Sequence, residues 1–369
     1  MTIIIFLIVL GVLIFSHELG HFLVAKRAGV RVDEFGLGFP PRLFGFKRGG
    51  TLYSLNIIPF GGFVKIYGED ATTVATDDPS CLTAKSKWRQ ASILVAGIIF
   101  NLILAWLLIT IALATTGLPM NAGSAPAGYE IRDAKLTVVQ ISPNSPAEKA
   151  GLKAGDTIIS LRSGADYVYP QSAEDVQNFT GSRGGQEITI GFIHPEAKLK
   201  TAIVERAVTP VMGLVSGRAA VGLGVDNVGI LKLSLPRSVV AGAQMFAKLT
   251  WLTARGLAGL ITDLFRGRSE LLGQVVGPIG LASLVGSTVT LGFGYLLFFT
   301  AVISINLALL NLLPFPALDG GRLLFLLIEK IKGSPIKPRV AQILNLISFA
   351  LLILLMIVVS FHDLQKFFG

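Results

Sequence analysis

Two histidines and a glutamate lie within an N-terminal segment that is otherwise almost entirely apolar. The stretch SHELGH covers residues 16–21, between IIIFLIVLGVLIF and FLVA. On a helix, His17 and His21 project from one face about one turn apart, with Glu18 beside them. This H-E-x-x-H spacing is typical of zinc hydrolases, in which two imidazoles bind the metal and the carboxylate is the general base. The alternative is a polar cluster packed between helices, which a membrane interior makes costly.

The composition predicts a polytopic α-helical membrane protein, because 52% of the 369 residues are hydrophobic. The first apolar stretch has neither a basic leader nor a small-residue cleavage site, so we do not expect it to be a cleaved signal peptide. We predict four transmembrane helices from the length of the apolar stretches, at residues 2–25, 91–115, 290–313 and 341–361.

The positive charge fits membrane topology better than nucleic-acid binding. The formal net charge is +9, and ten Lys and Arg residues fall in the loop 26–90 and five in 313–339. The positive-inside rule keeps such short basic loops in the cytosol. Both termini and the long segment 116–290 are then extracytosolic. His17 would lie about 23 Å from the outer end of the first helix, inside the bilayer and nearer its cytosolic side.

A catalytic zinc site usually has three protein ligands, so one more is expected. His194 and His362 fall in the predicted extracytosolic parts, and we interpret both as ordinary surface residues. The better candidate is Asp319 in NLLPFPALDGG, residues 311–321, at the inner end of the third span. Irregular backbone with an acidic residue at this depth indicates function. The alternative is a simple turn in which the aspartate caps a helix.

Together, HELGH and NLLPFPALDGG resemble the motifs of the site-2 protease family of intramembrane zinc metalloproteases, especially the bacterial regulators of sigma-E-type signalling. The resemblance covers nearly the whole chain and includes FGLGF, GGFVKIYGE and GPIG. It implies zinc ligands at His17, His21 and Asp319, a catalytic Glu18, and a substrate-holding Asn311. Two departures, an isoleucine in AGIIFN (96–101) where a proline is common and WRQ (88–90) in place of WQR, concern only local helix geometry.

Residues 34–68 alternate β-prone runs with glycines, which predicts membrane-associated β-hairpins. An exposed strand edge could hold an unwound substrate through main-chain hydrogen bonds. We therefore predict substrate binding along one short run of the segment GGFVKIY: Gly62, Phe63, Val64, Lys65 and Ile66. The alternative is a plain cytosolic loop that tolerates glycine.

Residues 125–231 contain strand-like runs between Gly and Pro turns, and VVQISPNSPAEKAGLKAGDTIISL (138–161) resembles the core of a PDZ domain. We expect one extracytosolic PDZ-like domain, which either binds extended peptide or acts only as a size filter. Residues 232–289 are predicted to form amphipathic helices on the membrane surface. The flanking domains are then 1–115, with the first two membrane helices, and 290–369, with the last two.

These features predict a zinc metalloendopeptidase of the bacterial cytoplasmic membrane that cleaves the transmembrane segment of single-pass proteins. The expected partners are such substrates and membrane lipid, with no nucleic acid. The resemblance implies anti-sigma factors or signal-peptide remnants as clients and an upstream protease that trims them first. The alternatives are an inactive scaffold that presents its PDZ-like domain and a membrane metal transporter. An intact Glu18 and ligands that converge on one site argue against these two.

Overall fold

The structure is a computed structural model that describes residues 2–69, 78–131, 134–194, 202–215, 217–267, 277–290, 292–334 and 336–368. It divides into two compact units, one formed by Met1–Ala112 with Leu235–Gly369 and the other by Leu113–Ser234. The elements of the described residues are, in chain order, α1 (Thr2–Arg27), β1 (Val32–Arg48), β2 (Thr51–Ile66), α2 (Lys87–Thr115), β3 (Leu118–Asn121), β4 (Lys135–Ile141), α3 (Pro146–Lys149), β5 (Thr157–Ser163), β6 (Asp166–Val168), α4 (Ala173–Gly181), β7 (Ile188–Ile193), β8 (Val204–Val208), β9 (Val211–Val215), β10 (Arg218–Ala220), β11 (Leu223–Leu231), α5 (Leu235–Phe265), α6 (Pro278–Thr290), α7 (Phe293–Asn311), α8 (Asp319–Lys332) and α9 (Pro338–Phe368).

Four of the described helices are long and apolar enough to cross a membrane. They are Thr2–Arg27, Lys87–Thr115, Phe293–Asn311 and Pro338–Phe361. The four spans predicted from the sequence are thus confirmed by length and composition. The chain is a multi-pass membrane protein with an additional β-rich unit.

Helix α1 forms because its residues are nearly all apolar and it contains no proline. Lys26 and Arg27 occupy its last turn, where positive charge complements the helix dipole. Gly29 follows with φ +67°, a left-handed conformation that suits glycine and ends helices. The helix therefore carries His17 and His21 without a break.

Strands β1 and β2 are joined at Gly49 and Gly50, whose φ angles are +56° and +79°. Two consecutive positive φ angles are the requirement of a type I′ hairpin turn, which glycine meets without strain. The strands pair from this turn, with Arg48 opposite Thr51. The β-structure expected from the glycine-rich sequence is therefore present, as one long and irregular hairpin.

The register of this hairpin shifts, so each strand contributes two separately paired segments: residues 34–37 and 44–47 of β1, and residues 52–55 and 62–65 of β2. Residues 34–37 pair with 62–65 and also with 52–55, so they are bonded along both edges. Residues 52–55 pair in turn with 44–47. Among the described residues, the 62–66 segment pairs along one side only, with 32–37. It is an edge strand.

Helix α5 is as long as the spanning helices but is not one of the four candidate spans, and Lys248, Arg255 and Asp263 interrupt its apolar run. Its most buried face is not made of large apolar side chains. Small and flexible residues form this face: Ser238, Ala241, Gly242 and Met245. A Cβ on Gly242 would lie 2.6 Å from Thr110 Oγ1 of α2, so the first half of α5 packs against a membrane helix.

Helix α6 begins at the GPIG motif, and its N-terminus is bound by a carboxylate from the end of α9. The backbone N–H groups of Gly277 and Gly280 donate to Asp363 at 3.3 and 2.8 Å. A carboxylate at a helix N-terminus satisfies free N–H groups and complements the dipole. The motif thus connects the two elements α6 and α9.

The second unit is a seven-stranded sheet in the order β3-β11-β4-β5-β7-β8, with β6 on β5. It extends beyond the predicted 125–231, because β3 pairs with β11 from Leu118 opposite Leu231 to Asn121 opposite Val228. Helix α4 begins with a capping box between Ser172 and Asp175. The backbone N–H of Gln171, followed by the Ser172 hydroxyl, holds the pKa of Asp175 below its ordinary value.

His194 differs from the surface residue that the sequence suggested. Its Nδ1 bonds the carboxylate of Asp156, which is fully buried, and its ring packs against Phe192. It therefore stabilises the sheet of the second unit. The side chain of His362 lies outside the described part of the structure.

Candidate metal centre

The two histidines of α1 meet at a close approach between α1 and α2. A Cβ on Gly20 would lie 2.4 Å from the carbonyl oxygen of Ala96, so only glycine allows this distance. Gly97, on the facing helix, leaves the space that the imidazoles fill. The rings of His17 and His21 lie edge to face with centroids 4.7 Å apart, and their Nε2 atoms are 3.2 Å apart.

The orientation of His21 is fixed by the backbone of α2. Its Nδ1 lies 2.8 Å from the carbonyl oxygen of Ile93. A carbonyl only accepts, so Nδ1 carries the proton and the Nε2 of the neutral ring presents a lone pair. In metal sites, a hydrogen bond from the ring nitrogen that does not bind the metal commonly holds the histidine in the correct tautomer and orientation.

Asp319 reaches the histidines because the chain folds back sharply after α7. Gly320 and Gly321 lie directly against the carbonyl oxygens of Leu313 and Phe315, where a Cβ would be only 2.2 Å away. Both glycines lie within helix α8, so they permit close packing and do not form a turn. Asp319 is the first residue of α8 and does not cap it, since Leu318 is the N-cap residue and no side chain caps the helix.

Three ligand atoms converge at this point. Asp319 Oδ2 lies 3.1 Å from His17 Nε2 and 3.3 Å from His21 Nε2. Tetrahedral zinc with bonds of about 2.0–2.1 Å requires ligand atoms about 3.3 Å apart. Among the residues described, Asp319 Oδ2 is buried and receives no hydrogen bond. Lone pairs directed at one another are unfavourable unless a cation lies between them, so the cluster fits zinc and could hold it.

Glu18 lies between the three candidate ligands and the edge strand formed by residues 62–66. It is half-buried on α1, next in sequence to His17. A Cβ on Gly62 would be 2.7 Å from Ile14 Cγ2 and 3.3 Å from Glu18 Cγ. Glycine at position 62 therefore lets the edge strand lie directly on the helix that carries the histidines.

The remaining residues of the predicted substrate segment have different environments. Phe63 and Val64 are half-buried and Lys65 is exposed. Ile66 is 6% exposed and packs in a core cluster with Ala25 and Val32. Its side chain thus stabilises the fold and is not available to a substrate. Asn311 is half-buried and is the last residue of α7.

Two residues near the cluster had no predicted role. Asn101 is fully buried, and its Nδ2 lies 3.5 Å from His17 Nδ1. Arg322, one turn after Asp319 on α8, forms an ion pair with Glu69, three residues after the edge strand. The only sequence signal for Asn101 was its place at the end of AGIIFN, and Arg322 gave none.

We predict that Gly97→Ala strongly weakens zinc binding. The new Cβ would lie 2.3 Å from His21 Nε2 and 2.8 Å from His17 Cε1, so both imidazoles must move. Loss of ligand geometry costs at least about 10–100-fold in metal affinity. Zinc per chain, measured after dialysis against a chelator, should fall. The matched control is Gly256→Ala on α5, where a Cβ contacts nothing within 4 Å. Full zinc retention in Gly97→Ala would contradict this account of the packing.

The fold and the cluster together define a membrane-embedded metal hydrolase. The sequence matches the model of peptidase family M50 over residues 5–355. It is 34% identical over 364 residues to a Clostridium perfringens protein named as a candidate zinc metalloprotease, covering 99% of this chain and 98% of that protein. Two proteins named RasP are 28% identical: the zinc metalloprotease of Geobacillus kaustophilus, covering 100% and 98% of the two chains, and the regulator of sigma-W protease of Bacillus subtilis, covering 100% and 99%.

The chain therefore belongs to peptidase family M50, the site-2 protease family, and it is a zinc metalloprotease. Both the family and the zinc cofactor predicted from the sequence are confirmed.

Proposed function

We propose that this protease hydrolyses a peptide bond within the transmembrane segment of single-pass membrane proteins. The observation that carries the proposal is that two of the three candidate ligands lie on α1, a helix of spanning length, and that Glu18 of the same helix lies against the 62–66 segment, which among the described residues pairs along one side only. His17 is 15 residues into α1, or about 23 Å along its axis, so the cluster lies at the depth of the lipid hydrocarbon.

We assign roles to the residues of the cluster on this basis. His17, His21 and Asp319 hold the metal, and Asn101 positions His17 when its amide is turned so that Oδ1 accepts from Nδ1–H. Bound zinc supplies Lewis-acid activation of water and of the scissile carbonyl. Glu18 accepts the proton of the attacking water and passes it to the departing amide nitrogen. Asn311 hydrogen-bonds the substrate backbone.

The edge strand gives the substrate a place to unfold. A helix hides its amides in internal hydrogen bonds, and a free amide in lipid costs several kcal/mol. Residues 62–66 offer main-chain partners next to Glu18, so the substrate is held extended as an added strand. Metal transport is disfavoured, because the three ligand atoms lie within 4.8 Å of one another and do not follow a path.

The charge pattern and the names of the relatives support a topology and a class of clients that we add to the proposal. We place the enzyme in the bacterial cytoplasmic membrane, with both termini and the β-rich PDZ-like unit extracytosolic. The clients are anti-sigma factors or signal-peptide remnants that another protease has trimmed; the Bacillus subtilis relative is named for regulating sigma-W.

The position of the cleaved bond tests the proposal. Purified protein in liposomes with a trimmed single-span client should release fragments whose new termini, identified by mass spectrometry, lie inside the span. Cleavage confined to residues outside the span would rule it out, even if the enzyme were fully active and zinc-dependent.

We predict that the second unit filters clients by size. Its chain ends are adjacent, since the N–H of Leu233 donates to the carbonyl of Leu113 at 3.0 Å. A short glycine–serine linker can therefore replace residues 117–232. The shortened enzyme should cleave an untrimmed client as fast as a trimmed one, measured by fragment release in liposomes. If it cleaves neither client while keeping its zinc, the unit recruits substrate and does not filter it.

A further inference from the structure

Helix α8 has its ion-paired side turned towards the rest of its unit. Arg322 forms an ion pair with Glu69, three residues after the edge strand. Glu329 forms another with Lys87, the first residue of α2. Arg322 and Glu329 are seven residues apart, so they lie on one face of the helix, two turns from each other. Ion pairs therefore connect this face of α8 to the segment after the hairpin and to the start of α2.

The opposite face of α8 is an apolar stripe of four residues. At about 100° per residue, these positions lie about 140–240° round the helix from Arg322. All four side chains are exposed in the described part of the chain: Leu324, Leu327, Ile328 and Ile331. Ile331 is 79% exposed. A helix on the surface of a soluble protein has the reverse arrangement, with its apolar stripe towards the core. The stripe of α8 is therefore suited to an apolar environment other than the core of this chain.

The two neighbours of α8 in the chain are both candidate membrane spans. Helix α7 ends at Asn311 and α9 begins at Pro338, so short connections join them to α8. With 14 residues, α8 is about 21 Å long, which is too short to cross the hydrocarbon itself. The end of α7 and the start of α9 then face the same side of the membrane, and α8 lies at that surface.

A lysine borders the apolar stripe on each side. By the same helix spacing, Lys330 lies about 80° and Lys332 about 280° round the helix from Arg322. Both lysines are exposed. Lys330 Nζ also lies 4.8 Å from the ring centroid of Trp88, which is 76% exposed. Lysines at the border of an apolar surface extend their ammonium groups to the lipid headgroups, and tryptophan is enriched at the same level.

We propose that α8 lies in the headgroup region of an anionic membrane surface. The apolar stripe enters the boundary of the acyl chains, and Lys330 and Lys332 bind lipid phosphates. A soluble protein or a second copy of this chain could also cover an apolar stripe, but the bordering lysines and the adjacent spans both favour lipid. Because Asp319 is the first residue of α8, the membrane surface also sets the depth of this candidate zinc ligand.

Spin labels on the full-length protein in liposomes test the environment of the stripe. Ile331→Cys supplies one reactive thiol, because the single native cysteine, Cys81, is buried. Leu354→Cys on α9 is the lipid-facing reference, and Glu174→Cys on α4 is the water-facing reference, since both side chains are exposed. Collision of the label with oxygen reports lipid, and collision with a water-soluble nickel complex reports water.

We expect the label at position 331 to collide with oxygen about as often as the label at position 354. Its collisions with nickel should be several-fold fewer than at position 174. Single cysteines scanned over 323–328 should show oxygen maxima at positions 324, 327 and 328, which belong to the stripe. Frequent nickel collisions at position 331 would overturn the proposal, because the stripe would then lie in water. Shielding from both reagents would also overturn it, because protein would then cover the stripe.

Photoreactive lipids test the two lysines separately. Phosphatidylglycerol and phosphatidylcholine probes with the same photoreactive acyl chain are compared in liposomes of one composition, and the label on α8 is located by mass spectrometry. A lysine near an anionic surface strengthens binding about fivefold, so the anionic probe should label α8 at least about fivefold more than the neutral probe. The double variant Lys330→Gln/Lys332→Gln should lose most of this preference.

The matched control is Lys149→Gln/Lys153→Gln, which removes two exposed lysines from the second unit and should keep the preference. Equal labelling by the two probes in the wild type would overturn the recognition of anionic lipid. A preference that survives in the α8 double variant would overturn the assignment to Lys330 and Lys332. Neither measurement requires peptide cleavage, so both outcomes are independent of the proposed function.

Discussion

Replacing Glu18 with glutamine is expected to reduce peptide hydrolysis by at least about 10²–10⁴-fold, the usual contribution of a general acid–base group. Zinc should stay bound at about one ion per chain, because the three ligands of such a site come from other residues. The amide is nearly the same size as the carboxylate but cannot accept the proton of the attacking water. Fragment release in liposomes and elemental analysis of the same preparation measure the two quantities independently.

The ligand variants give the opposite pattern. His17→Ala, His21→Ala and Asp319→Ala should each lose zinc and activity together, since one of three protein ligands is missing. Glu174→Gln on α4, in the second unit, is the matched control and should behave as wild type. Loss of zinc in Glu18→Gln would mean that Glu18 has a structural role, and a full zinc content in Asp319→Ala would remove that residue from the ligand set.

The convergence of the three candidate ligands, His17, His21 and Asp319, could be predicted only in part from the sequence. Helix periodicity alone predicts that the side chains of His17 and His21 lie on the same face of α1. Their approach to Asp319 followed from counting membrane crossings and basic loops. The glycine contacts that make this approach possible could not be predicted, because helices that are apolar on nearly every side have no continuous polar face to indicate which side meets a neighbour. Gly20 and Gly97 are recognisable as packing positions only when α1 and α2 are placed together.

The β-structure shows a different limit. Glycines and β-prone residues predicted the strands, and Gly49 and Gly50 explain the turn. The double pairing of residues 34–37 with 52–55 and 62–65 depends on register shifts along the hairpin, which no local pattern encodes. Burial of Ile66 has the same origin, since its partners Ala25 and Ile93 come from α1 and α2.

Proline substitution in the edge strand should lower turnover without loss of zinc, if substrate binds there as an added strand. Successive N–H groups of a strand point to opposite sides, so adjacent positions test the two edges separately. Val64→Pro and Lys65→Pro each remove one backbone N–H donor. In one variant the lost N–H faces the free edge, and in the other it faces β1. Ile66→Pro is less informative, because Ile66 is 6% exposed and its replacement would disturb the core.

We expect the proline at the free edge to reduce client cleavage about 10-fold or more, since both a main-chain hydrogen bond and the strand geometry are lost. Its zinc content and melting temperature should remain near wild type. The proline that faces β1 should lower the melting temperature instead. Val64→Ala and Lys65→Ala keep both N–H groups and serve as matched controls, with turnover close to wild type.

The client's own helix stability provides the complementary measurement. The client's transmembrane helix must unwind if it is to pair with residues 62–66. Each Leu→Gly change near the cleaved bond then lowers the free energy of unwinding by about 0.8 kcal/mol. Cleavage in liposomes should then become about threefold to fivefold faster per substitution, and this gain should be absent in the variant whose proline faces the free edge. Equal rates for glycine-rich and leucine-rich clients, together with normal turnover in both proline variants, would leave the 62–66 segment a structural strand with no part in holding the substrate.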